Sequence, residues 1–286
     1  MKIDILLPWR AELGEGINLF PDGEMRWVDL PRGTCYIWDG KKNRKFSEFG
    51  MEVSKVLPWK NGSLALAQTA IIFLNDSGIE VDRIELHDTA SHLRCSDGLV
   101  LPNGELLLGI LDRDLAPHRG RLIRVHQDRT IETIVDKTTI SNGITLLADG
   151  KRIAWADSPK KEIEIFEFDL ARNTLSSPVS YARLPDDAGL IDGMCADRDG
   201  GIWAALWRGS GVAHFDASGR LDEIYTFAAP NVTSCGFDRE NNLLLTTGTA
   251  TLTEADLQRF PGAGSLWQIP AAEHGTFGTA IHVSTL

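Results

Sequence analysis

Six hairpin turns at near-regular intervals predict an all-β chain folded as a six-bladed β-propeller. Three observations carry that prediction. An Asx-Gly turn recurs along the chain, a further apolar strand follows each turn, and amphipathic helical segments between strands are almost absent.

The first turn is Pro21-Asp22-Gly23, leading into Met25-Arg26-Trp27-Val28. The second is Lys60-Asn61-Gly62 before Ser63-Leu64-Ala65-Leu66, and the third is Pro102-Asn103-Gly104 before Leu106-Leu107-Leu108. Asp149-Gly150 precedes Ile153-Ala154-Trp155, and Asp199-Gly200 precedes Ile202-Trp203-Ala204. The sixth, Glu240-Asn241-Asn242, lacks the glycine. Asx-Gly between apolar runs signals a hairpin because both central residues of the favoured two-residue turn take positive φ. From Gly23 through Gly62, Gly104, Gly150 and Gly200 to Asn242 the steps are 39, 42, 46, 50 and 42 residues. Four-stranded blades repeat at about 40–50 residues, so six repeats account for residues 1–286 as one domain.

The further strands are Thr34–Asp39, Ile71–Asp76, Gly120–Val125, Glu164–Asp169, Gly211–Asp216 and Ser265–Ile269. A doubly wound α/β fold needs a helix between successive strands. The clearest helical turn is Thr253–Arg259, expected as an insertion in the last blade. The eight tryptophans are expected mainly in the core between blades.

With 43% hydrophobic and 24% charged residues, the chain has the composition of a soluble globular protein, and its net charge of −11 argues against a nucleic-acid partner. Met1–Pro8 is too short and too soon interrupted to act as a secretory signal. No apolar run reaches the roughly 20 residues that span a bilayer, so no membrane association is expected. Cys35, Cys95, Cys195 and Cys235 are scattered without a CxxC pair and read as buried small hydrophobes in a reduced cytoplasm. Oligomeric state is left open.

There is no GxSxG elbow, HExxH helix, P-loop or GxGxxG motif. Ser210, between Gly209 and Gly211, stands where a blade needs a turn. What remains is a set of polar residues expected at the start of innermost strands: Glu15, Asp97, Asn142 and Asp192, each followed by glycine. One reading is local capping of strand ends through Asx-type turns. The other is convergence on the axial channel, where carboxylates and an amide carbonyl form an oxygen-rich site for calcium, magnesium, manganese or zinc.

The chain resembles the regucalcin/gluconolactonase (senescence marker protein) family of six-bladed propeller lactonases. The resemblance runs from Leu13 to about Ile269, in Leu13-Gly14-Glu15-Gly16, Trp27-Val28-Asp29, Ile140-Ser141-Asn142-Gly143, Ala156-Asp157-Ser158, Ile191-Asp192-Gly193-Met194 and Thr233-Ser234-Cys235-Gly236. It implies that Glu15, Asn142 and Asp192 bind one divalent metal, and that a sugar-derived lactone is opened to its aldonic acid. With a cation in place, Asp192 is expected to act as general base as well as ligand. Arg94 and Ser96, in the segment where the family holds sugar hydroxyls, and His118, on the long connection between Leu111 and Gly120, are the expected substrate-binding residues. Related readings are hydrolysis of another ester or a phosphotriester, or a non-catalytic metal-binding propeller.

The substrate side departs from the family pattern. Ser96 replaces an amide in Arg94-Cys95-Ser96-Asp97-Gly98, and Ala116 falls where some members carry an acidic lid residue, beside Pro117 and His118. One reading is that losing that carboxylate near Arg94, with His118, Arg119 and Arg208 nearby, makes the pocket less negative and receptive to an anionic lactone. The other, favoured by sequence alone, is that Arg119 and Arg208 are solvated surface residues.

Overall fold

The computed structural model of the protein describes residues 2–60, 62–86 and 91–279. Asn61, assigned above to the second turn, lies outside the described residues.

Six antiparallel sheets form the ring, as the sequence predicts. The innermost strands are Gly14–Leu19, Val53–Trp59, Leu93–Val100, Ser141–Leu146, Leu190–Ala196 and Val232–Phe237, one per blade, and each touches the next around the axis. The sixth blade is closed by Asp4–Leu7, which pairs antiparallel with Leu266–Ile269. The ring is therefore sealed by main-chain hydrogen bonds between segments from opposite parts of the chain.

Apolar packing follows the same geometry. Blade faces are buried on both sides, so six clusters fill the six interfaces. Val28 and Cys35 of the first blade meet Ala65 and Ile72 of the second, and similar sets continue around the ring. Leu244 and Leu266 of the sixth blade then meet Ile17 and Trp27 of the first. Trp27, Trp155 and Trp203 occupy second strands and are fully buried. Each indole N–H has a partner, in Asn43 Oδ1, Ser141 Oγ and Asp197 Oδ2 at 3.1, 2.8 and 3.2 Å. A buried indole needs such an acceptor to avoid a desolvation penalty.

The turns differ in detail from the two-residue expectation. Gly23, Gly104, Gly150 and Gly200 have φ of 77, 85, 67 and 88°, but the preceding Asx residues do not take positive φ. Only one left-handed residue is needed because the loops are longer, and an Asx side chain ties the turn instead, the one before the glycine in three blades and Asp197 rather than Asp199 in the fifth. Asp22 Oδ1, for example, accepts from the Glu24 N–H at 2.9 Å. In the sixth blade the left-handed residue is Asn241 at φ 63°, one place earlier than the spacing assigned; its short amide side chain tolerates that conformation. In the second blade Lys60 takes positive φ, and Gly62 instead fits where a Cβ would stand 2.2 Å from the Leu74 carbonyl oxygen.

The helical turn near residue 253 is a short helix, Glu254–Arg259, with Thr253 and Asp256 forming a reciprocal cap. Ser210 lies in a turn at φ 54°, as expected. No helix among the described residues is long and apolar enough to cross a membrane.

Candidate active site

The inner strands of the first, fourth and fifth blades each break register beside an acid or amide. The shifts fall between Glu15 and Asn18, Asn142 and Thr145, and Ile191 and Met194. A bulge adds one residue to a strand and re-aims its side chain. The glycines make this possible: Gly16 and Gly143 have φ of 57 and 59°. A Cβ on Gly143 would stand 2.7 Å from the Asp192 carbonyl oxygen, so its absence lets the fourth and fifth blades close on the axis.

Glu15, Asn142 and Asp192 meet at one cavity of about 360 Å³ that Arg94 and Ser96 also line. Asn142 Nδ2 donates to Asp192 Oδ1 at 2.5 Å. The Gly16 N–H donates to Glu15 Oε2, and the Gly143 N–H to Asn142 Oδ1, both at 3.1 Å. Local capping and axial convergence therefore coexist in the same side chains. Ser96 Oγ donates to the Ser141 carbonyl. Arg94 donates to the Cys95 carbonyl at 2.9 Å, and its Nε lies 4.0 Å from Glu52 Oε2. His118 does not line the cavity; it is exposed, with Nδ1 3.2 Å from the Lys137 carbonyl oxygen. Arg119 likewise lies apart, paired with Asp112 at 3.2 Å.

Burial, followed by the nearby Asp192 and Asp97 charges, holds the Glu15 carboxyl well above the usual carboxylate range. Burial first, then the charge of Asp97, pushes Asp192 up to about 8, against the opposing hydrogen bond from Asn142. Acids crowded in this way are relieved either by protons or by a cation. The donors are all hard oxygens, two carboxyls and an amide, so the set fits a divalent ion that completes its shell with water or substrate. Among the described residues no group of three or more His, Cys, Asp and Glu side chains gathers for a metal, and this set is completed by an amide instead.

Asp97, the fourth polar candidate, serves as a partition. Ser96 lines this cavity, whereas Gly98 lines a smaller one of about 160 Å³ at the other end of the channel. Between them Asp97 accepts from Lys55 Nζ at 2.7 Å and from the Gly98 and Ile144 N–H groups at 2.7 and 2.8 Å. Its oxygens are committed to the protein.

Arg113, Trp207 and Thr251 also line the cavity and were not singled out from sequence, and Ser158, which entered only as the end of Ala156-Asp157-Ser158, lines it as well. Ser158 Oγ is buried without a hydrogen-bond partner. The only sequence signal for it was its place after Asp157, whose Oδ1 accepts the Thr139 and Ile140 N–H groups at 3.0 and 2.8 Å. Trp207 shows that not every tryptophan serves the interblade core.

Residues 13–249 match the family model described as SMP-30/Gluconolactonase/LRE-like region. Human regucalcin is 25% identical over 283 residues, covering 94% of this chain and 94% of the relative. The pentonolactonase XacC of Haloferax volcanii is 27% identical over 290 residues, covering 96% of each. In fold, the chain superposes on a crystal structure of a calcium-binding protein, regucalcin, from Agrobacterium tumefaciens. That match has a TM-score of 0.89 at 19% identity and covers 99% of this chain and 96% of the other.

Proposed function

The chain belongs to the SMP-30/gluconolactonase/LRE-like family, and from that premise we propose that it hydrolyses a sugar-derived lactone in the cavity between Asp192 and Arg94, with a divalent cation held by Glu15, Asn142 and Asp192. The observation carrying this reading is the meeting of those three oxygen donors, from three different blades, in a cavity that also contains Arg94.

A bound cation would polarise the lactone carbonyl and make water more acidic. The chain's own residues supply the remainder. Asn142 holds Asp192 Oδ1 and leaves Oδ2 as the oxygen that accepts a proton from attacking water. The water oxygen bonds to the carbonyl carbon, and the ring C–O bond then breaks. The proton on Asp192 passes to the departing ring oxygen, giving a hydroxy acid and returning the carboxylate. Arg94, fixed to the Cys95 carbonyl by one nitrogen, has further N–H groups for a substrate oxygen. Leu13, Ile140 and Ile191 wall the site and limit competing water.

A pH-stat assay with a panel of aldonolactones tests the reading. Turnover lost on chelation, restored by added cation, and reduced at least about 100-fold in Asp192→Ala supports it. Unchanged turnover in a folded Asp192→Ala variant refutes Asp192 as base, and turnover insensitive to chelator refutes the cation.

A further inference from the structure

The mouth of the cavity collects backbone strain and positive charge together. Leu115, Arg208 and Thr251 line it from three different blades, with φ of 55, 60 and 66°. Side chains other than glycine, asparagine and aspartate rarely adopt that conformation, and a β-branched threonine least of all. Such strain persists only where surrounding structure enforces it, and it gathers at ligand clamps.

The enforcement is clear at Arg208. The Gly209 N–H donates to the Leu206 carbonyl at 3.0 Å, and the Ser210 N–H to the Pro230 carbonyl at 3.2 Å. A Cβ on Gly209 would lie 2.3 Å from the Ala188 carbonyl oxygen, so the turn is clamped against the neighbouring loop. The backbone is thus held in an unfavourable conformation that projects an arginine at the cavity mouth.

Charge pairing there is incomplete. Arg113 and Arg94 both face Glu52, at 2.5 and 4.0 Å, so one carboxylate serves two guanidiniums. Arg208 has no ion-pair or side-chain hydrogen-bond partner among the described residues. Ser158 adds a buried hydroxyl without a partner in the same cavity. A neutral polyol does not need three guanidiniums, whereas a carboxylate matches the planar fork of arginine.

Resting on the lactonase reading above, we propose that the substrate is an anionic lactone, one bearing a carboxylate beyond its ring ester, and that Arg208 is the residue that selects it. The carboxylate lies at the mouth against Arg208, while the ring ester reaches Asp192 at the inner end. Arg208 is a specificity residue; it leaves bond cleavage to the inner site.

Paired probes test this: D-glucono-1,4-lactone against D-glucaro-1,4-lactone, and D-galactono-1,4-lactone against D-galactaro-1,4-lactone. Within each pair a hydroxymethyl group is exchanged for a carboxylate on the same ring. The expected result is kcat/KM at least about 10-fold higher for the carboxylate member, falling as salt screens the attraction. Arg208→Gln lowers the anionic-to-neutral ratio by at least about 10-fold, and Arg208→Lys restores part of it. Equal or better turnover of the neutral members overturns the inference while leaving the lactonase reading intact. So does an alkyl lactone such as γ-decalactone proving the best substrate, or an Arg208→Gln ratio equal to wild type. If no lactone is opened, the lactonase reading fails, and titration with glucarate and the neutral polyol D-glucitol at saturating magnesium decides the anion subsite. Tighter glucarate binding that Arg208→Gln abolishes supports the subsite; equal binding overturns it.

Discussion

Lys55 and Asp97 form a buried ion pair on the propeller axis, 2.7 Å from Nζ to Oδ1, with side chains only 7% and 6% exposed. The pair joins the second and third blades and separates the two ends of the channel. Removing one partner strands a charge in a poorly solvated place. Lys55→Met is therefore expected to lower unfolding free energy by about 3–5 kcal/mol, measured by urea denaturation. Lys55→Met combined with Asp97→Asn is expected to recover most of that loss, because the asparagine carbonyl still accepts a main-chain N–H.

Glu15 and Asp192 give a second expectation. Both acids cost folding free energy as they ionise without a compensating charge, since their folded pKa values lie above the unfolded ones. In cation-free protein this cost grows as pH rises from the unfolded carboxylate value of about 4. Glu15→Gln is expected to match or exceed wild-type thermal stability at about pH 8 without added metal. If the proposed cation binds, wild type is expected to gain Tm on its addition and Glu15→Gln is expected to lose that gain. A cation at 100 times its Kd adds about 2.7 kcal/mol, a shift that scanning calorimetry resolves.

Gly143 tests the bulge. Alanine there meets both a left-handed backbone and the Asp192 carbonyl oxygen 2.7 Å away. Gly143→Ala is expected to cost about 1–3 kcal/mol and to weaken cation affinity by about 10-fold or more, since it displaces Asn142 and Asp192 together. Isothermal titration with calcium and manganese reads the second effect. Unchanged affinity would remove the bulge from the account of the site.

His214 and Asp197 predict a pH dependence away from the active site. Burial alone would lower the His214 pKa, but hydrogen bonds to Asp197 and Asp222 hold it above the ordinary value. Burial alone would raise Asp197, but His214 and the Gly201 N–H hold it below the usual range. A raised histidine pKa stabilises the fold fully below its unfolded value and loses that contribution as pH rises through the folded value. A lowered aspartate contributes above its unfolded value and loses that as pH falls. The pair is therefore most stabilising between about pH 4 and about pH 6.5. The Tm gap between wild type and His214→Gln is expected to be wider at about pH 5.5 than at about pH 9.

The propeller was legible because each blade writes its turn in local chemistry, with Asp22 and Gly23 showing the pattern most plainly. The exceptions are instructive. Asn241 carries the left-handed turn that spacing placed on Asn242, because a one-residue shift leaves the apolar pattern unchanged. Glu15, Asp97, Asn142 and Asp192 were legible as candidates because each precedes a glycine on an inner strand and inner strands share the axis. That pattern did not separate Asp97, tied to Lys55, from the other three; the family resemblance did. Arg113, Ser158 and Thr251 were not legible, since their meeting depends on how connections from separate blades bend, which no local pattern records. His118 shows the converse: it was placed by the loop that carries it, but the fold turns it toward Lys137.

The pairing of Asp4–Leu7 with Leu266–Ile269 has a temporal consequence. On the ribosome, Asp4–Leu7 has no pairing partner until Leu266–Ile269 has been synthesised. The sixth blade therefore cannot close before that strand exists, and it is this blade that stands between Glu15 of the first and Asp192 of the fifth. A nascent chain can hold finished blades while Glu15, Asn142 and Asp192 still lack their shared cavity, which is complete only when the ring is.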